Sequence, residues 1–126
     1  MNFPDNLKYT QDHEWIRVEG EIAWVGITDY AQGELGDVVY VELPAVGSKV
    51  VQGKSFGTIE AVKAVSDIYA PVSGEILEAN KDIQVSPDAV NKDPYGKGWM
   101  VRMRIGNPSE LAGLLDVEAY KKIIAK

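Results

Sequence analysis

The sequence predicts a mainly β protein. It is read as a flattened barrel or sandwich of two quasi-repeated halves, with an N-terminal hairpin, a short helix and C-terminal helices. Three observations predict this. Short stretches rich in β-branched residues recur between glycines and prolines. Pairs of short motifs recur along the chain. Helical spacing is confined to a segment after Thr28 and to the tail. At 126 residues the chain suits one domain, 1–126. That length buries roughly two-thirds of the unfolded surface.

In order, "HEWIRVEGEIAWVGIT" alternates, with Trp15 and Arg17 on one face and Ile16 and Val18 on the other. Glu19-Gly20 turns it, and Ile22 and Trp24 continue the return strand. Thr28 suits a helix N-cap and Asp29 its first turn, so a short helix runs to Leu35 and stops at Gly36. "GDVVYVELP" is a strand stopped by Pro44, and Gly47 and Gly53 are turn points. "FGTIEAVKAVSDIYAP" has the pattern strand, turn, strand, and "APVSGEILEA" starts another strand after Pro71. "SPDAVNKDPYGKG" is loop-like with one helical turn after Ser86, and "WMVRMRI" is the last strand. Asn107 and Pro108 start a helix whose Leu111, Leu114 and Leu115 share a face. Asp116 starts a second, with Val117, Tyr120, Ile123 and Ile124 at helical spacing. Both are read as a cover packed on the β core.

"GDVVYV" from Gly36 matches "GEILEA" from Gly74, and "GKSF" from Gly53 matches "GKGW" from Gly96. The pattern suggests two similar units, 36–62 and 74–105, flanked by an extension, 1–35, and a helical tail, 107–126. Their junction is "KAVSDIYAP", which places Lys63 at the joining hairpin.

Composition excludes several functions. The net charge of -6 and pI near 4.7 argue against nucleic acid and against anionic lipid as partners. With no cysteine and one histidine, His13, thiol nucleophiles, zinc-thiolate sites and histidine metal clusters are excluded. His13 is expected as a half-buried ring beside Trp15. "GELGD" and "QGKSFG" lack phosphate-loop spacing. "MNFPDNLKYT" is no secretory signal and no apolar run is long enough to span a bilayer, so the expectation is a cytoplasmic protein, or a matrix one if this is a trimmed mitochondrial form.

From pattern alone Lys63 has three readings. It is a solvated turn lysine protecting a strand end, an acceptor for a covalent cofactor, or a Schiff-base lysine. The last needs a depressed pKa, against which Glu60 works. An exposed amine is mostly protonated at neutral pH, so an acceptor lysine depends on an outside enzyme.

"GTIEAVKAVSDIYAPVSGEI" resembles the lipoylation site of lipoyl carrier domains. With "KYTQDHEWI", "VGITDYAQGELGDVVYVELPAVG" and "VNKDPYGKGWM" in order, nearly the whole chain resembles the H-protein family of the glycine cleavage system. Biotin carriers share the hairpin but flank their lysine with methionines, unlike Val62 and Ala64. Ala61 stands where that family commonly has serine.

The resemblance implies a lipoyl/biotinyl-type fold and lipoic acid in amide linkage on Lys63, placed by a lipoate attachment enzyme. It implies a non-catalytic shuttle. A pyridoxal-phosphate glycine decarboxylase loads an aminomethyl group on the arm. A tetrahydrofolate-dependent aminomethyltransferase takes the carbon, and an FAD-dependent dihydrolipoyl dehydrogenase reoxidises the dithiol. The alternative on the same fold is a lipoate relay or biotin carrier. The loaded amine is cationic and labile in water, so a groove with a carboxylate suits it. By resemblance Glu14 is the first candidate contact and Asp67 the second, with Glu60 for recognition by the attachment enzyme. For Glu14 the alternative is a solvated strand charge, and for Asp67 a turn residue bonding local backbone.

Overall fold

The computed structural model describes residues 2–125. Two antiparallel sheets form it. The larger has six strands in the order β1 (Lys8–Tyr9), β2 (Glu14–Glu19), β3 (Ile22–Ile27), β9 (Val101–Ile105), β8 (Gly74–Ala79) and β5 (Lys49–Val50). The smaller has three: β4 (Val38–Glu42), β6 (Ser55–Ala61) and β7 (Val65–Tyr69). Each sheet ends in open edge strands, so the fold is a sandwich and the barrel alternative is set aside. Leu43 and Phe56 pack against both apolar clusters, one built on Ile16, Val25, Ile76 and Met103, the other on Val41, Ile59, Ile68 and Met100.

The predicted helix is α1 (Asp29–Leu35). The Thr28 side chain accepts from the Ala31 N–H, and Gly36 closes the helix at φ 83°, a conformation that disfavours any side chain. The helical turn after Ser86 is α3 (Ala89–Lys92), and α4 (Val117–Ile124) starts at Asp116 as expected. The segment from Asn107 departs from expectation. Asn107 caps it, but Pro108–Gly113 is a 3₁₀ helix. Its three-residue turn stacks Leu111 and Leu114 on the main core. Leu115 lies past the cap, exchanges backbone hydrogen bonds with Tyr9, and packs in a separate aromatic cluster with Tyr9, Trp15 and Tyr120. Leu115 therefore does not share the face of Leu111 and Leu114. β1, β5 and α2 (Lys81–Val85) had no counterpart in the sequence reading. Each is too short for periodicity to register.

The β4–β6 and β8–β9 ladders each slip register once, between Val38 and Tyr40 and between Ile76 and Glu78. The bulged residues, Val39 and Leu77, occupy matching places in "GDVVYV" and "GEILEA". Among the described residues no helix is long and apolar enough to cross a membrane.

Gly26 lies opposite Trp15 in the β2–β3 ladder, and a Cβ there would stand 2.7 Å from the indole nitrogen. That nitrogen donates to the Pro94 carbonyl at 2.9 Å, so the ring cannot easily retreat. Gly26→Ala should cost roughly 1–3 kcal/mol by overpacking. Urea unfolding checks this: the midpoint should drop with an unchanged slope, and an unshifted midpoint would contradict the packing.

Candidate functional site: a lysine hairpin beside an acidic cleft

Lys63 sits at the bend between β6 and β7 and is exposed. The bend needs no glycine because none of Val62, Lys63 and Ala64 has a positive φ. It is tied down by two backbone hydrogen bonds, Ala61 N–H to the Ala64 carbonyl at 2.7 Å and Val62 N–H to the Asp37 carbonyl at 2.9 Å. The aliphatic stem of Lys63 lies over Gly36, where a Cβ would come within 3.0 Å of Cε. Gly36 thus serves twice, ending α1 and leaving room for the stem. Asn91 on α3 fixes this seat from behind. Its amide donates to the Gly36 carbonyl at 2.9 Å, and its oxygen accepts from the Val38 N–H at 2.9 Å. Val62 and Val65, flanking the lysine, are 75% and 69% exposed, so the tip presents an apolar collar.

A cleft of about 250 Å³ opens beside this hairpin, between α1, the turn before β2, and β6–β7. Ile27, Ala31, Leu35 and Ile59 give it apolar walls. Asp12, Glu14, Glu34 and Asp67 are its acidic lining residues, and among the described residues no lysine or arginine lines it. Leu35, one residue before Gly36, brings the cleft to the foot of the Lys63 stem.

Glu14 is 2% exposed, which overturns its reading as a solvated strand charge. Thr10 donates its hydroxyl to Oε1 at 2.6 Å, and the Tyr69 N–H donates to Oε2 at 3.2 Å. Burial pushes its pKa up to about 7, against the lowering effect of those two bonds. Asp67 is not a turn residue. It lies in β7 opposite Thr58, lines the cleft, and accepts the Ser55 hydroxyl at 3.2 Å. Glu60 is exposed opposite Val65 and stands outside the cleft lining. So Glu14 and Asp67 both line the cleft, while Glu60, on the same exposed face of β6–β7 as Asp67, stands outside its lining.

His13 is half-buried, as expected, but not beside Trp15. Its ring lies 4.9 Å from Tyr30 and its Nδ1 is 2.9 Å from the Tyr120 hydroxyl, both brought from other elements. Burial lowers its pKa, against the raising effect of Asp12 and Glu34. Sequence reasoning missed this ring as a wall of the cleft, and missed Gly36 as a seat; Glu14 and Asp67 were the legible parts of the lining.

The raised Glu14 pKa fixes a sign for stability. Below about pH 4.5 the carboxyl is protonated folded or unfolded and contributes nothing. Between there and about 7 the unfolded chain ionises first, so stability falls, and the full penalty stands above 7. Its size is about 3 kcal/mol. Glu14→Gln should therefore raise the melting temperature at pH 8 and leave it nearly unchanged at pH 4. Thermal unfolding at both values checks this, and equal effects at the two would contradict it.

Comparison with known proteins identifies the family and agrees with the fold. A family model described as Glycine cleavage H-protein matches residues 7–126. A "Glycine cleavage system H protein" of Bacteroides thetaiotaomicron is 57% identical over 124 residues, covering 98% of both chains. One from Carboxydothermus hydrogenoformans is 54% identical over 121 residues, covering 96% of this chain and 93% of its own. A crystal structure of a glycine cleavage system H protein from Mycobacterium marinum superposes with a TM-score of 0.87 at 38% identity, covering 98% of this chain and 100% of its own. With the fold, the motif order and the near full-length identity in agreement, the chain belongs to the glycine cleavage H-protein family.

Proposed function

We propose that this chain is the lipoylated shuttle of a glycine cleavage system, with lipoic acid in amide linkage on Lys63. The observation that carries the reading is the position of one amine. Lys63 is exposed on a stiff bend, and its stem lies over Gly36, the neighbour of Leu35 in the lining of a cleft with apolar walls and a buried carboxyl group. Those features fit the group. A Cβ at Gly36 would crowd the stem, Leu35 and Ile59 suit a hydrocarbon arm, and Glu14 suits a cationic end. When bound, lipoic acid supplies the disulfide and dithiol chemistry that a cysteine-free chain lacks.

The chain's own residues do the rest. Lys63 holds the arm on a hairpin that reaches into partner active sites. The cleft walls exclude water from a docked arm. Glu14 and Asp67 favour a cationic aminomethyl cargo. A cation beside Glu14 draws the carboxyl toward its ionised form, because an opposite charge lowers an acid's pKa. Tyr69 and Thr10 hold that carboxylate in place. Glu60, exposed three positions before the acceptor, is available to the lipoate attachment enzyme. The partners of this reading are glycine decarboxylase, aminomethyltransferase and dihydrolipoyl dehydrogenase, and the chain itself turns nothing over. The matching bulges at Val39 and Leu77 support two duplicated units, 36–62 and 74–105, within one domain.

Intact mass spectrometry of the chain from a lipoate-competent host should show one lipoyl adduct, mapped to Lys63. Lys63→Arg should carry none, with stability within roughly 0.5 kcal/mol of the parent, as for an exposed site. A persistently unmodified parent would contradict the assignment. Glu14→Gln should still be lipoylated but lose its aminomethyl cargo to water roughly tenfold faster, the loss expected for a charged hydrogen bond. Cargo release with the same half-life as the parent would remove Glu14 from the site.

A further inference from the structure

His13 is the only non-glycine residue among those described with a positive φ, 72°. Such a conformation persists only where surrounding structure holds it. Here the hold is specific. The His13 N–H donates to the Thr10 carbonyl at 3.1 Å, and its own carbonyl accepts from the Thr28 N–H at 3.0 Å. A second link joins the same two residues through a side chain of the C-terminal helix. The Tyr120 hydroxyl is 2.9 Å from His13 Nδ1 and 2.7 Å from Thr28 Oγ1.

His13 lines the cleft, and Thr28 caps α1, which forms the opposite wall through Tyr30, Ala31 and Leu35. Tyr120 lines no part of it. Its ring is fixed independently of its hydroxyl, stacked on Tyr9 at 4.7 Å with an 8° interplanar angle and edge-on to Phe3 at 5.6 Å. The cap is compatible with a hydroxyl chain running in either direction. Ala31 N–H donates to Thr28 Oγ1 and leaves that oxygen a second lone pair, so either Thr28 donates to Tyr120 and Tyr120 to His13 Nδ1, or His13 Nδ1–H donates to Tyr120 and Tyr120 to Thr28. Each direction selects one tautomer of the neutral imidazole, Nε2–H in the first and Nδ1–H in the second.

We propose that Tyr120 is a positioning residue for the cleft. One hydroxyl fixes the His13 imidazole on one wall and the α1 cap on the other, so the C-terminal helix sets the shape of a cleft it does not touch. Resting on the carrier reading above, this makes α4 a determinant of how long a loaded arm stays shielded from water. Nothing else in the tail requires a hydroxyl at that position, since a phenyl ring would fill the same aromatic cluster.

The test is Tyr120→Phe in the full chain, which keeps the ring and removes the node. Nitrogen-15 NMR of the unmodified chain should show His13 as a single tautomer in the parent and as a tautomer mixture in the variant. In the lipoylated, aminomethyl-loaded chain, cargo release should accelerate roughly fivefold, as expected for loss of one hydrogen bond. His13→Asn, a residue that tolerates positive φ, should accelerate release similarly, and adding Tyr120→Phe to it should do nothing more. Should Tyr120→Phe not fold, an unchanged half-life in His13→Asn overturns the proposal by itself. A single unchanged tautomer in Tyr120→Phe, or unchanged release from it, also overturns it. A parent that releases cargo as fast as free aminomethyl-dihydrolipoamide sinks the carrier reading instead, and the tautomer result then decides the role of Tyr120 alone.

Discussion

The arrangement depends on one carboxyl group withdrawn from water. Glu14 belongs to the larger sheet, and the N–H it receives belongs to Tyr69 of the smaller one. β7 is an edge strand, and an edge strand carries backbone groups that need partners. Glu14 supplies one, and so fastens the two sheets where the sandwich would otherwise gape. Burying an acid there is unfavourable by itself, which is why its pKa is raised. A group held at such a cost to stability, beside a cleft, points to function more than to packing.

The same seam explains why the lysine can be both exposed and exact in position. A solvated side chain on a long loop would wander. Here the bend is a short link between strands paired along their length, bonded at Val62 to Asp37 and seated on Gly36. Asn91 holds that seat through the two residues on either side of Asp37. The cleft walls are contributed by segments far apart in sequence, from the turn before β2 to β7, and the lysine's seat is braced by α3 as well.

Much of this was legible in the residues, and the limits are physical. Thr28, Gly36 and Asp116 announce helix ends through local chemistry, which a sequence displays directly. The bend at Lys63 was legible because β-branched residues flank it. The burial of Glu14 was not. Alternation places Trp15 and Ile16 on opposite faces, yet Glu14, Trp15 and Ile16 are all buried in succession. The start of β2 is covered on both sides, by the aromatic cluster and by β7, and a period of two cannot register a strand end enclosed all round. His13 was misplaced for a related reason, since its partner Tyr120 lies 107 residues away. The leucines of the tail were misgrouped because a 3₁₀ helix and an α-helix share a start signal and differ in period.

The central claim is that a buried, easily protonated Glu14 receives the cationic end of the arm. Carbon-13 NMR of the Glu14 carboxyl, titrated in the unloaded and the aminomethyl-loaded chain, tests it most directly. The account predicts a midpoint near 7 in the unloaded chain and a clearly lower one once the cargo is docked. An ordinary glutamate midpoint in the unloaded chain, or one that does not move on loading, would contradict it.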